Sequence, residues 1–185
     1  MDDHWFRLGD HGRYLPSSWT GEILRKLLVF GNSGSGKSTL AKSLAASEGL
    51  IHFDLDSIAW LATDPPERAS LVDSSDEIGK FVSDHSNWVV EGCYADLIKL
   101  LVPYATEMIF LNLSVDDCIS NARKRPWEPH KYPTKELQDS NLEMLEEWIR
   151  DYPQRDDVCS LGAHKKLFED FEGLKTMVTE NAGGR

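Results

Sequence analysis

Eight consecutive residues, Gly31-Asn32-Ser33-Gly34-Ser35-Gly36-Lys37-Ser38, satisfy the pattern G-x-x-x-x-G-K-S/T at every constrained position. Gly31, Gly34 and Gly36 let the backbone curl tightly enough to aim several main-chain N–H groups at one anion. Lys37 supplies a point charge suited to the β- and γ-phosphates of a nucleotide, and the Ser38 hydroxyl can ligate magnesium. With Thr39 as the next residue, the expected ligand is a nucleoside triphosphate, ATP with Mg2+, held between Gly31 and Thr39.

Three further sets of residues have types suited to the same chemistry. Asp54 and Asp56 lie two apart, so on an extended segment both carboxylates face the same way, at the strand edge where α/β sheets bind ligands. Asp56 also precedes Ser57-Ile58-Ala59-Trp60, where a helix N-cap is its other reading. Glu91 ends an otherwise apolar stretch and is followed by Gly92. A carboxylate there can accept from a magnesium-bound water, a solvated strand-end acid being the alternative. Arg123 and Arg125 close a helical stretch. Phosphoryl transfer spreads charge over the equatorial oxygens, which a planar guanidinium neutralises two at a time. Either arginine is otherwise a helix-end cation favoured by the dipole. Trp127, His130 and Tyr132 stack on a base or pack a lid.

The elements that must position these groups follow from periodicity. Arg25–Phe30 reads as a buried strand entering the glycine run. After it, Leu40, Ala41, Leu44 and Ala45 form one helical stripe. Strand, loop and helix in that order place an anion on a helix N-terminus carrying about half a positive charge. Leu50–Phe53, Trp88–Val90 and Met108–Leu113 are three more strands, the last continuously apolar as expected of one covered on both faces. Residues 61–72 form a loop, and Ser74 with Glu77 makes a capping box for the helix carrying Ile78, Phe81 and Val82. Ser114 caps a helix that Pro126 closes. Thr134 opens another with Leu142, Leu145, Trp148 and Ile149 on one side, and residues 164–171 look helical. A fifth strand is not evident. The fold class is α/β, a three-layer sandwich with a mostly parallel sheet of four to five strands and a lid segment.

Bulk properties narrow the function. At 185 residues the chain supports one domain over 1–185, with residues 1–22 wrapping it, 57–86 inserted on the acceptor side and 123–134 as the lid. The net charge of −11 argues against a nucleic-acid surface. Residues 25–47 hold four cations and no acid, however, and 121–135 are also net basic, so a phosphate meets a locally positive neighbourhood. No apolar run approaches a membrane span and no basic-then-apolar leader begins the chain. Cys93, Cys118 and Cys159 are odd in number with no C-x-x-C pair, which predicts reduced cytoplasmic thiols and no zinc-clipped lid.

The glycine run extended through Thr39-Leu40-Ala41, then Leu55-Asp56-x-x-x-Trp60, Trp88-Val89-Val90-Glu91-Gly92-x-Tyr94 and the Arg123/Arg125 pair together resemble the small P-loop kinases, the group of adenylate, shikimate and gluconate kinases. Within it the likeness is greatest to FlaR-type adenylate-kinase-like proteins. The resemblance covers about residues 26–125. It departs at Glu91, where the family often has Asp, and at residues 125–132, which match no known lid. It implies that Asp56 orients or deprotonates the acceptor hydroxyl, that Asp54 lies near magnesium, and that Arg123 and Arg125 are lid arginines. It also implies that Arg68 anchors an anionic acceptor. The expected activity is transfer of a γ-phosphoryl group to a small molecule, a nucleotide or a hydroxylated metabolite, by a monomer or homodimer. A nucleotide-responsive ATPase acting through a protein partner is the alternative.

Overall fold

The structure is a computed structural model that describes residues 24–63, 65, 67–129 and 132–181; the expected wrap of residues 1–22, and His130 and Lys131, lie outside the described residues. Its centre is a five-stranded sheet in which every pairing is parallel, in the order β2-β3-β1-β4-β5. The strands are β1 (Lys26–Gly31), β2 (Ile51–Asp54), β3 (Trp88–Gly92), β4 (Glu107–Leu111) and β5 (Leu174–Val178). A parallel sheet puts all carboxyl ends on one edge, and the register does so with functional residues. Asp54 pairs with Glu91, Phe30 with Gly92, and Gly31 with Leu111.

Both faces are covered, because β1 sends alternate residues each way. Leu28 and Phe30 enter the larger core with helices α2 (Asp56–Ala59), α3 (Leu71–Asp84), α4 (Ala95–Leu101) and α8 (Leu161–Asp170). Leu27 and Val29 face α1 (Lys37–Glu48) through Leu40, Ala41 and Leu44. Phe30 and Phe110 stack at 5.0 Å between centroids, both fully buried, and truncating either to alanine costs about 3–5 kcal/mol. A third cluster joins α5 (Val115–Arg123) to α7 (Leu142–Asp151), with α6 (Lys135–Ser140) preceding it. No helix among the described residues is long and apolar enough to cross a membrane.

Ser114 caps α5 by accepting from the Asp117 N–H, and Thr134 caps α6 in the same way through Leu137, as the sequence predicts. Several boundaries differ. The cap of α3 is Ser70, which accepts from the Asp73 N–H at 3.1 Å, rather than a Ser74–Glu77 box. Ser74 is buried and donates to the Ile58 carbonyl at 3.0 Å, so it ties α3 to α2 instead. The single helix expected after Thr134 is two, broken at Asn141, whose amide reaches back to the Leu137 carbonyl. The fifth strand exists as β5, an edge strand exposed along most of its length. That exposure, with Lys175 inside it, hides the apolar signature.

One buried polar residue braces the sheet edge. His164 on α8 is fully buried and uses both ring nitrogens: Nε2 lies 2.8 Å from the Cys93 carbonyl and Nδ1 2.7 Å from the Tyr152 hydroxyl. A carbonyl can only accept, so Nε2 carries the proton and Nδ1 accepts from Tyr152. Burial pushes the imidazole down to about 4, the Cys93 carbonyl opposing. An unfolded histidine titrates near pH 6.5, so the folded state binds fewer protons between the two values. The contribution is complete above about pH 6.5 and is lost as pH falls toward 4. A urea series at pH 7.5 and 4.5 should show the wild type losing about 2.5 kcal/mol more than His164→Gln over that interval. Equal losses in the two proteins would contradict the assignment.

Candidate active site

The turn between β1 and α1 is packed against its neighbours. Gly34 has φ 75°, and a Cβ there would lie 2.3 Å from the Cys118 carbonyl oxygen. A Cβ on Gly31 would lie equally close to the carbonyl oxygen of Leu111. Gly36 caps α1 at φ 89° with open space where its side chain would be. The loop is also tied outward. Asn32 accepts the Ser33 N–H at 2.8 Å and donates its amide to the Ile149 carbonyl at 3.2 Å, while Asn121 donates to the Gly34 carbonyl at 3.0 Å. Lys37 Nζ donates to the Asn32 carbonyl at 2.9 Å, which folds the ammonium over the turn.

This turn opens into a cleft of about 1850 Å³, lined by Ser33 through Leu40, Asp56, Glu91, Tyr94, Arg68 and the segment Lys124–Pro129, among others. Two polar atoms of its wall are buried without a hydrogen-bond partner, Ser35 Oγ and Glu91 Oε1. Burial opposes ionisation of Glu91, but His52 at 3.8 Å, the Lys37 charge and the Ser38 hydroxyl outweigh it and hold the carboxylate below its usual range. An ionised, buried carboxylate with an orphaned oxygen beside Ser38 suits a hard cation that keeps most of its waters. No cluster of three or more His, Cys, Asp or Glu disposed to hold a metal occurs among the described residues. The donor set therefore fits magnesium carried on a polyphosphate and not a dedicated protein cage. The glycine turn fits the polyphosphate, since its close packing on neighbouring carbonyls leaves no room for a side chain at Gly31 or Gly34.

Asp56 is the first residue of α2, with Leu55 at the cap position, so it is not the N-cap. Its N–H donates to Asp54 Oδ1 at 2.9 Å, and its own Oδ1 accepts from the Tyr94 hydroxyl at 2.8 Å. Tyr94 in turn accepts from the Trp60 indole N–H at 2.8 Å. Burial, with the nearby Cys93 and Asp56 charges, pushes the Tyr94 phenol up, so it stays protonated and donating. Asp54 is not among the residues lining the cleft; it contacts the site through Asp56 and its register partner Glu91.

The basic residues divide. Arg125 lines the cleft and pairs with Glu128 at 3.1 Å. Arg123 does not line it: Nε and Nη2 reach Glu146 at 2.6 and 2.8 Å, and Arg150 joins the same carboxylate at 2.7 Å. That pairing clamps α5 to α7. Arg68 lines the cleft with its guanidinium 4.4 Å from the Tyr94 ring centroid, donating to both Asp96 oxygens at 3.1 Å and to the Ala59 carbonyl at 3.1 Å. Trp127 and Tyr132 border the cleft, Trp127 donating its indole N–H to the Tyr132 carbonyl at 3.0 Å. Sequence reasoning did not single out Tyr94 for its hydroxyl, nor Asp96, Asn121, Lys124, Trp148, Arg155 or Asp157. Lys124, Asn121, Trp148, Arg155 and Asp157 line the cleft, with Arg155 stacked on Trp148 and paired with Asp157. No motif announces them.

No protein-family model matches the chain, and no curated protein matches it in sequence. Solved structures similar to it include a shikimate kinase from Acinetobacter baumannii in complex with shikimate, 15% identical over 88% of this chain and 87% of that one, with a TM-score of 0.48. A deoxyadenosine kinase from M. mycoides with bound dATP is 16% identical over 83% and 90%, TM-score 0.45. A gluconokinase from Sinorhizobium meliloti is 18% identical over 85% of each chain, TM-score 0.45. At these identities and scores the likeness says nothing of chemistry.

The two loop glycines differ in a measurable way. Gly36→Ala meets open space and bears only the cost of its positive φ, about 1–2 kcal/mol. Gly34→Ala adds collision with the Cys118 carbonyl, for a total of about 3 kcal/mol or more. Urea denaturation of both variants should keep that order; equal costs would mean that the loop is not packed on α5.

Proposed function

We propose that the protein is an ATP- and magnesium-dependent phosphotransferase that moves the γ-phosphoryl group to the hydroxyl of a small molecule. The observation that carries this reading is the sharing of one cleft by the glycine turn with Lys37 and by the Asp56 carboxylate held by Tyr94. Hydrolysis alone needs no second carboxylate to position an acceptor; transfer to an alcohol uses one.

Gly31 through Thr39 grip the phosphates, with main-chain N–H groups and the α1 N-terminus providing positive potential. Lys37 exchanges the Asn32 carbonyl for phosphate oxygens. Ser38 and Glu91 would hold magnesium and its waters, with Asp54 supporting them through Asp56, and the charge neutralised there would be that of the phosphates. Asp56 orients the acceptor hydroxyl and takes its proton as the new O–P bond forms and ADP leaves. The Tyr94 hydroxyl fixes the orientation of that carboxylate. Arg125, on the cleft wall, is the cation that leaves Glu128 for the transferring group, while Arg123 acts from behind by holding α5 and α7 together. The segment 123–134 serves as the lid, and 57–86 builds the acceptor wall through Trp60 and Arg68.

Radiolabel transfer from γ-labelled ATP to an acceptor library tests the reading. Lys37→Ala should remove turnover. Asp56→Asn should lower acceptor-dependent rate at least a hundredfold while nucleotide affinity, read by calorimetry, stays within about threefold. Arg125→Ala should lower kcat more than a hundredfold. Tight nucleotide binding without any acceptor turnover, together with a protein partner whose affinity differs between ATP and ADP, would favour the regulatory ATPase instead.

A further inference from the structure

Every arginine on the cleft wall among the described residues is already paired with a carboxylate: Arg68 with Asp96, Arg125 with Glu128 and Arg155 with Asp157. Arg125 belongs to the lid segment, where transfer would release it. Arg68 is different, because its restraint is built in several directions at once. Asp96, at the start of α4, accepts from Nη2 with both oxygens. The Ala59 carbonyl at the end of α2 takes Nη1. The Tyr94 ring lies 4.4 Å and the Trp60 ring 5.9 Å from the guanidinium carbon. A guanidinium so enclosed acts as a wall that stiffens the two rings, and its charge is balanced where it stands.

Near Asp56 stand the acid Glu91 and the ammonium of Lys37, which this reading gives to the phosphates, while Lys42 and Lys124 line the cleft as well. The Asp56 carboxylate faces the cleft, and the neighbouring Arg68 is cancelled by Asp96. A second anionic group on an acceptor would enter beside Asp56 with no uncommitted guanidinium to meet it, at the cost of like-charge repulsion. What the wall does offer is ring surface. Trp60, Trp127 and Trp148 are each more than two-fifths exposed while lining the cleft, and Met144 is more exposed still. The indole N–H groups of Trp60 and Trp127 are both committed within the protein, leaving their faces as the contact.

Resting on the phosphotransferase reading above, we infer that the acceptor is an alcohol whose body carries no negative charge and presents a flat heterocycle or an ammonium group to the exposed face of Trp60, which the buried Tyr94 backs. Aromatic faces bind either group, by stacking or by cation–π attraction, and neither needs a counter-cation. Arg68 then sets specificity by shape, through the rings it holds, and Asp96 sets it by cancelling the charge that would draw acids in.

A thermal-shift panel on the full chain with magnesium and a nonhydrolysable ATP analogue tests this. Its arms are nucleosides, amino alcohols, hydroxy acids and nucleoside monophosphates. At a hundredfold excess over Kd, a nucleoside or an amino alcohol should raise the midpoint by roughly 5–10 °C, and which arm responds identifies the group. The two anionic arms should leave it unmoved. Asp96→Asn, which releases Arg68, should tighten binding of the anionic arms at least tenfold. A rise from a hydroxy acid or monophosphate in the wild type, or none from either non-anionic arm, overturns the inference; the wild-type panel decides even where Asp96→Asn does not fold. The shift produced by the analogue alone separates this from the parent reading. If the analogue shifts the midpoint and only an acid adds to it, the kinase stands and the acceptor class falls; if the analogue itself has no effect, the kinase reading falls first.

Discussion

The closeness of the β1–α1 turn to the backbone of its neighbours is the constraint on which everything else depends. Leu111 and Cys118 present carbonyl oxygens where side chains on Gly31 and Gly34 would have to be. The main chain can surround an anion only because β4 and the start of α5 lie that near, and they lie there because β4 pairs with β1 in register. Fully parallel pairing then brings the ends of β2 and β3 to the same edge, with Asp54 beside Glu91 and the α2 start just beyond. Residues from distant parts of the chain thus converge on one edge of the sheet, Asp54 and Glu91 lying outside the glycine pattern.

This acidic chain manages most of its arginines by pairing. Arg123 and Arg150 share the buried Glu146, Arg68 is enclosed, and Arg125 and Arg155 each hold a carboxylate. Lys37 stands apart in resting on a carbonyl. Leaving a neutral acceptor for a phosphate is less costly than breaking an ion pair, so the ammonium is ready where the arginines are restrained. Glu91 is the complementary case. Its burial is unfavourable, and nearby His52, Lys37 and Ser38 keep it ionised.

What the sequence discloses follows from how local each feature is. The glycine turn, the strand-end acids and the Ser114 and Thr134 caps depend on neighbours within a few residues, and all are visible in the chain. Arg123 and Arg125 are two apart at a helix end, where such positions do not share a face. Which of them meets the cleft depends on the placement of α7, and α7 takes Arg123 through Glu146. Ser70 and Ser74 both have the chemistry of a cap, and only the Ile58 carbonyl across the gap removes Ser74 from that role. Tyr94 and Asp96 acquire their parts from contacts with residues distant in sequence. The edge strand β5 lacks the apolar run because no described residue covers most of it.

The side chain of Asn32 occupies one of the variable positions of the phosphate-loop pattern, yet its amide grips the Ile149 carbonyl, 117 residues on. A position that the pattern leaves open is therefore closed by the helix that also carries Glu146 and Trp148. Drift at residue 32 cannot be neutral unless the end of that helix shifts with it. The tether joins the glycine turn to α7 through a main-chain acceptor, and the pattern itself does not disclose it.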